Sequence, residues 1–66
     1  MWFELEIERP EILGSGSDIQ SVGTVKTLEE ALDAYKNHEC NRITKYERID
    51  GRLVRRVYDE FTGKFE

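Results

Sequence analysis

One cysteine, one histidine and one proline in 66 residues exclude several ways of stabilising or equipping a small chain. Cys40 has no partner for an intramolecular disulfide, and a lone thiol suits a reducing, cytoplasmic setting. Cys40 and His38 are the only soft ligands, whereas structural zinc takes four; no metal and no other cofactor is expected. No apolar run approaches the roughly 18 residues of a membrane helix. The opening Met1-Trp2-Phe3-Glu4-Leu5-Glu6 carries acids where a signal peptide would be apolar. No association with a membrane is expected. The motifs GxxxxGKS/T, GxGxxG and HExxH and the EF-hand loop are missing. Gly14-Ser15-Gly16-Ser17 has no basic residue after it until Lys26, so it reads as a plain loop within residues 11–18 rather than a phosphate cradle.

What remains is a charged but foldable chain. Charged residues are 36% and apolar residues 38%, with three Phe, three Tyr and one Trp, which is too apolar for a disordered polyampholyte. The length allows one domain, residues 1–66. A chain this short buries only about 60% of its unfolded surface, so its stability is narrow. Association with a second copy, through the sheet face or edge opposite the helix, is the expected remedy.

Residues 2–9 alternate with period two, Phe3, Leu5 and Ile7 pointing one way and Trp2, Glu4, Glu6 and Glu8 the other, and Pro10 ends this strand. Ile19–Lys26 is a weaker strand, with Ile19, Gly23 and Val25 on one face, Val22 out of step and Gly23 marking a bulge. Thr27 with Glu30 forms a capping box. Leu28, Ala31, Leu32 and Tyr35 then make one apolar stripe of a helix closing near Asn37 or His38. Asp33 and Ala34 fall off that stripe. Asp50-Gly51 is a two-residue turn between Arg42–Ile49 and Arg52–Phe61, which form a hairpin. Its register pairs Ile49 with Arg52, Glu47 with Val54, Lys45 with Arg56 and Ile43 with Tyr58 on one face. Arg48 with Leu53, Tyr46 with Arg55 and Thr44 with Val57 occupy the other. A three-residue loop would shift that register by one. Residues 62–66 read as a frayed tail. The expected fold is α+β: one helix on a three- or four-stranded, mainly antiparallel sheet, in ββαββ order. The core should hold Phe3, Leu5, Ile7, Val25, Leu28, Ala31, Leu32 and Tyr35, with Ile43, Leu53 and Val57 from the hairpin.

Charge is unevenly divided within a net of −4. Residues 1–40 hold three basic and nine acidic residues, a net of −6, and residues 41–66 hold seven and five, a net of +2. The hairpin cations include Lys45, Arg48, Arg52, Arg55 and Arg56, and the arginine fork suits carboxylate and phosphate equally. They read as a solvated sheet edge, as a face for an acidic protein surface, or as a phosphate-backbone contact with Tyr46 and Tyr58 stacking on bases. The acidic total opposes the third. Trp2, on the glutamate face, either folds over the edge of its own core or is an exposed anchor for a partner. The candidate partner-binding residues are Trp2, Lys45, Tyr46, Arg48, Arg52, Arg55 and Arg56. No catalytic residue is assigned. His38, Glu39 and Cys40 are adjacent in sequence and cannot converge on one substrate atom without a sharp backbone turn, and Cys40 reads as a small apolar filler.

Strand, strand, capped helix and hairpin in that order, with the helix opening Thr27-Leu28-Glu29-Glu30-Ala31-Leu32, is similar in layout to very small bacteriophage-encoded inhibitor and regulator proteins. It resembles in particular the phage inhibitor of host RNA polymerase, whose helix also opens T-L-x-E-A-L after an aromatic-rich strand. The resemblance implies a non-enzymatic protein that acts by occupying a surface of a larger machine, and no functional residues carry over from it. A small nucleic-acid binder using the same hairpin is the alternative.

Overall fold

The computed structural model describes residues 1–10 and 17–66, so residues 11–16 of the loop expected over 11–18 lie outside the described residues, while Ser17 and Asp18 belong to a strand instead, paired with Pro10 and Arg9. The strands are β1 (Trp2–Pro10), β2 (Ser17–Val25), β3 (Arg42–Ile49), β4 (Arg52–Asp59) and β5 (Lys64–Phe65), with the helix α1 (Leu28–Lys36) between β2 and β3. They form one five-stranded antiparallel sheet in the order β2-β1-β3-β4-β5. β2 and β3 flank β1, and α1 crosses from one to the other over it. The domain is therefore α+β, as expected, with one strand more than the sequence suggests.

That extra strand is the segment expected to fray. Gly63 adopts φ 71°, a left-handed conformation that glycine adopts at little cost, and its N–H donates to the Asp59 carbonyl at 2.8 Å. The Asp59 carboxylate accepts the Phe61 N–H at 2.9 Å, which closes the turn. Val57 and Glu66 then exchange backbone hydrogen bonds of 3.0 and 2.9 Å. The fold gains Phe65, whose ring packs 5.6 Å from Phe3 and 5.4 Å from Tyr58.

The β3–β4 hairpin takes the two-residue register, including Ile49–Arg52, Lys45–Arg56, Tyr46–Arg55 and Thr44–Val57. Asp50 and Gly51 both have positive φ, 51° and 78°, the type I′ geometry that matches strand twist. On β2 the partner residue jumps from Gly23, opposite Leu5, to Ser21, opposite Glu6. Val22 is thus the bulged residue. The bulge reverses the faces beyond it: Val25 and Gly23 share the helix side with Phe3 and Leu5, whereas Ile19 pairs with Glu8 on the other side, contrary to the expected alignment of Ile19 with Val25.

Thr27 caps α1 as its sequence predicts, accepting the Glu30 N–H at 3.2 Å. The other end is a Schellman motif. The His38 N–H donates to the Tyr35 carbonyl and the Glu39 N–H to the Ala34 carbonyl, at 3.2 and 3.0 Å. His38 sits at φ 60°, where an L side chain is strained. His38→Gly should therefore stabilise the domain by about 0.5–1 kcal/mol, read as a raised urea midpoint at unchanged m-value.

The core is small and centres on Phe3, Leu5, Ala31, Ala34, Cys40 and Ile43. Ala34, expected off the stripe, is buried, while Leu32 is only half-buried and Leu28 is exposed. The two alanines, one helical turn apart, let α1 settle close onto β1, and the leucines flank that line. Leu53 is exposed and Val57 half-buried because both lie on the face of the sheet opposite the helix. Ile7 is likewise only half-buried. Cys40 is buried as a filler, and that burial, with the nearby Glu39 charge, pushes its thiol above its ordinary range, while a backbone hydrogen bond from Arg42 works the other way.

Candidate functional site: the uncovered sheet face and the hairpin arm

One helix covers one side of the sheet, and β1 alternation with the register assigns the other side. The uncovered face carries Trp2, Glu4, Glu6 and Glu8 from β1, Arg42, Thr44, Tyr46 and Arg48 from β3, and Leu53, Arg55 and Val57 from β4. Trp2, Tyr46 and Arg55 stand in one row across three strands. The Trp2 and Tyr46 rings stack, centroids 5.2 Å apart and planes within 9°. Trp2 remains 38% exposed. Of the two places open to it, Trp2 lies on the face away from the core, stacked upon a tyrosine that shares that face.

At the acidic end of this face one guanidinium bridges two of the three carboxylates. Arg42 Nε meets Glu6 Oε1 at 3.2 Å and Arg42 Nη1 meets Glu8 Oε2 at 3.0 Å. The Thr44 hydroxyl, in a residue only 2% exposed, donates to the same Glu6 oxygen at 2.5 Å. Asn41 secures β1 just beyond: its side-chain oxygen accepts the Glu8 N–H at 2.7 Å and its amide donates to the Glu8 carbonyl at 2.9 Å. At the other end of the face, no carboxylate lies within ion-pairing distance of Arg48 or Arg55 among the described residues.

The seven residues marked in the sequence are divided by the sheet. Trp2, Tyr46, Arg48 and Arg55 lie on the uncovered face, and Lys45, Arg52 and Arg56 lie on the helix side. Lys45 is engaged in structure: its Nζ stands 5.2 Å over the Phe65 ring and 3.6 Å from Glu47. Tyr58 also belongs to the helix side, edge-on to Tyr35 at 5.9 Å. Beyond the last β1–β3 pair, Trp2–Tyr46, β3 has only β4 beside it. The hairpin thus projects past the sheet as a two-stranded arm, residues 47–54, bearing Arg48, Arg52, Ile49 and Leu53. The sequence did not signal the arm, since its length depends on where β1 begins to pair.

A separate polar contact ties the last turn to the helix. The Tyr35 hydroxyl donates to Glu60 Oε2 at 2.5 Å. That hydrogen bond, with burial and the Glu60 charge, pushes Tyr35 up to about 12 from 10.0. A raised folded value means that this contribution is complete below pH 10 and is lost as pH rises through about 12. Tyr35→Phe should flatten that alkaline loss, measured as urea stability at successive pH values between 10 and 12.

Among the described residues, no group of three or more His, Cys, Asp or Glu is placed to hold a metal ion, and no helix is long and apolar enough to cross a membrane. Comparison with known proteins gives no match: no family model, curated sequence or solved structure is significantly similar to this chain.

Proposed function

We propose that the protein is a small non-enzymatic binding module that docks an acidic surface of a larger protein through its uncovered sheet face, in the manner of an inhibitor or regulator. The observation that carries this reading is the stacked Trp2–Tyr46 pair, in one row with Arg55 and left bare by the helix. Trp, Tyr and Arg are the residue types in which interface energy concentrates. Here the two rings hold each other in place, so little side-chain entropy is lost on docking. Arg48 and Arg55 flank them without internal carboxylate partners and supply the charge complement. A reducing, cytoplasmic setting accords with the single, buried Cys40.

A nucleic-acid reading is favoured by one specific observation. Arg48 and Arg55, with no ion-paired carboxylate among the described residues, share one face with two stacked aromatics, the elements with which single strands are bound.

Trp2 is the only tryptophan and lies at the centre of the proposed contact, so its emission reports occupancy directly. The protein should be used to capture partners from its native host, alongside Trp2→Ala, Arg55→Ala and, as a control on the opposite side, Arg56→Ala. The captured protein is then titrated while tryptophan emission is followed. Loss of more than about tenfold in affinity for the first two variants, with Arg56→Ala unchanged, is expected. Equal binding by all variants overturns the reading. An emission change produced instead by a single-stranded oligonucleotide, and falling by orders of magnitude between 50 and 200 mM salt, establishes the nucleic-acid alternative.

A further inference from the structure

On the helix side, a groove of about 460 Å³ lies between α1 and the β1–β2 pair. Leu5, Val22, Val25 and Ala34 line it, and the remaining lining residues, Glu30, Asp33 and Glu39, all carry carboxylates. No basic residue contributes. Its complement is therefore an apolar side chain flanked by cations. The chain presents such a surface on its own arm.

The helix-side face of the hairpin carries Ile49, Arg52, Val54 and Arg56 in two adjacent strands. Ile49 is 42% exposed. The one acid on this face, Glu47, is held by Lys45, and no carboxylate pairs with Arg52 or Arg56 among the described residues. We propose that the groove of one copy receives the hairpin arm of a second copy, Ile49 entering against Leu5 and Val25 while Arg52 of the arm and Arg56 just behind its base meet Asp33 and Glu39. Groove and arm face lie on the same side of the sheet. Two copies turned toward each other through that side therefore each give an arm and receive one, a closed two-fold exchange. The uncovered face would be the other candidate for self-association. Of its three glutamates, however, Arg42 already bridges Glu6 and Glu8, whereas none of the three groove carboxylates is ion-paired among the described residues.

The exchange leaves the Trp2–Tyr46 face free, so it goes beyond the proposed docking function and fails or stands separately from it. The test is a charge swap read by sedimentation velocity at about 50 μM protein in 50 mM salt. Wild type should sediment at twice the 7.8 kDa chain mass and dissociate as salt rises. Arg52→Glu/Arg56→Glu and Asp33→Lys/Glu39→Lys should each sediment as monomers, because in each variant arm and groove now share a sign. An equimolar mixture should regain the dimer, since each arm then opposes the other's groove. Trp2→Ala should dimerise like wild type. Circular-dichroism melts establish that each variant is folded; if a double variant is not, Arg52→Glu and Asp33→Lys singly replace it. A wild-type monomer, dimers that survive both reversals, or a mixture that stays monomeric overturns the proposal.

Discussion

Phe3→Ala should leave the chain without a cooperative unfolding transition at 25 °C. Phe3 is 2% exposed, and its ring packs at 5.6 Å against Phe65. Of the six buried apolar residues, two are alanines and one is a cysteine, so Phe3, Leu5 and Ile43 provide nearly all of the large side chains in the core. Removing a buried phenylalanine costs about 3–5 kcal/mol through lost transfer energy and the cavity left behind. A chain of this length has a total stability of about 3–10 kcal/mol. The ring also binds the sheet's two extremes of sequence, because it seats β5 onto the strand that opens the chain. Phe3→Leu preserves most of the volume and should cost less than about 1.5 kcal/mol. Far-ultraviolet circular dichroism against temperature, with urea titration for Phe3→Leu, checks both. A sigmoidal melt for Phe3→Ala within a few degrees of wild type would place the core elsewhere.

The elements that local chemistry specifies were legible in the sequence. Thr27 and Glu30 fixed the helix start, Asp50-Gly51 fixed the hairpin register, and the alternation of residues 2–9 fixed which side of β1 is buried. What escaped depended on contacts distant in sequence. Ala34 is buried because the helix rolls its small residues, rather than its leucines, onto β1. β5 has only two residues, too short for a periodicity signal, although Asp59 and Gly63 are turn residues at hairpin spacing. Leu53 looks like core by pattern and is exposed because the register turns it to the face that the helix does not cover. The candidate site was partly legible in the same sense. Trp2, Tyr46 and the arginines were visible as residue types. The stacking of Trp2 on Tyr46 and the division of the cations between two faces required the β1–β3 pairing.

The same pairing creates a demand that the sequence does not advertise, at Thr44. In a β-strand a threonine reads as a neutral, solvent-tolerant residue, yet this one is 2% exposed and its hydroxyl donates to Glu6 at 2.5 Å. The Glu6 side chain, 14% exposed, is also held by Arg42 Nε at 3.2 Å. It is thus a largely covered carboxylate held by a guanidinium that it shares with Glu8 and by one hydroxyl donor. Thr44→Val keeps the shape and β-branching while deleting the donor. A hydrogen bond to a charged acceptor that cannot be replaced by water is worth about 1.5–3 kcal/mol, so Thr44→Val should lower stability by about that amount despite its greater hydrophobicity. Thr44→Ser, which keeps the hydroxyl, should lose less than about 1 kcal/mol. A double-mutant cycle with Glu6→Ala isolates the pair, because once the carboxylate is gone the valine has nothing to leave unsatisfied. The coupling energy should therefore exceed about 1 kcal/mol. A Thr44→Val protein as stable as wild type in urea would mean that solvent, rather than Thr44, satisfies Glu6, and that Arg42 alone holds the acidic end of the uncovered face in place.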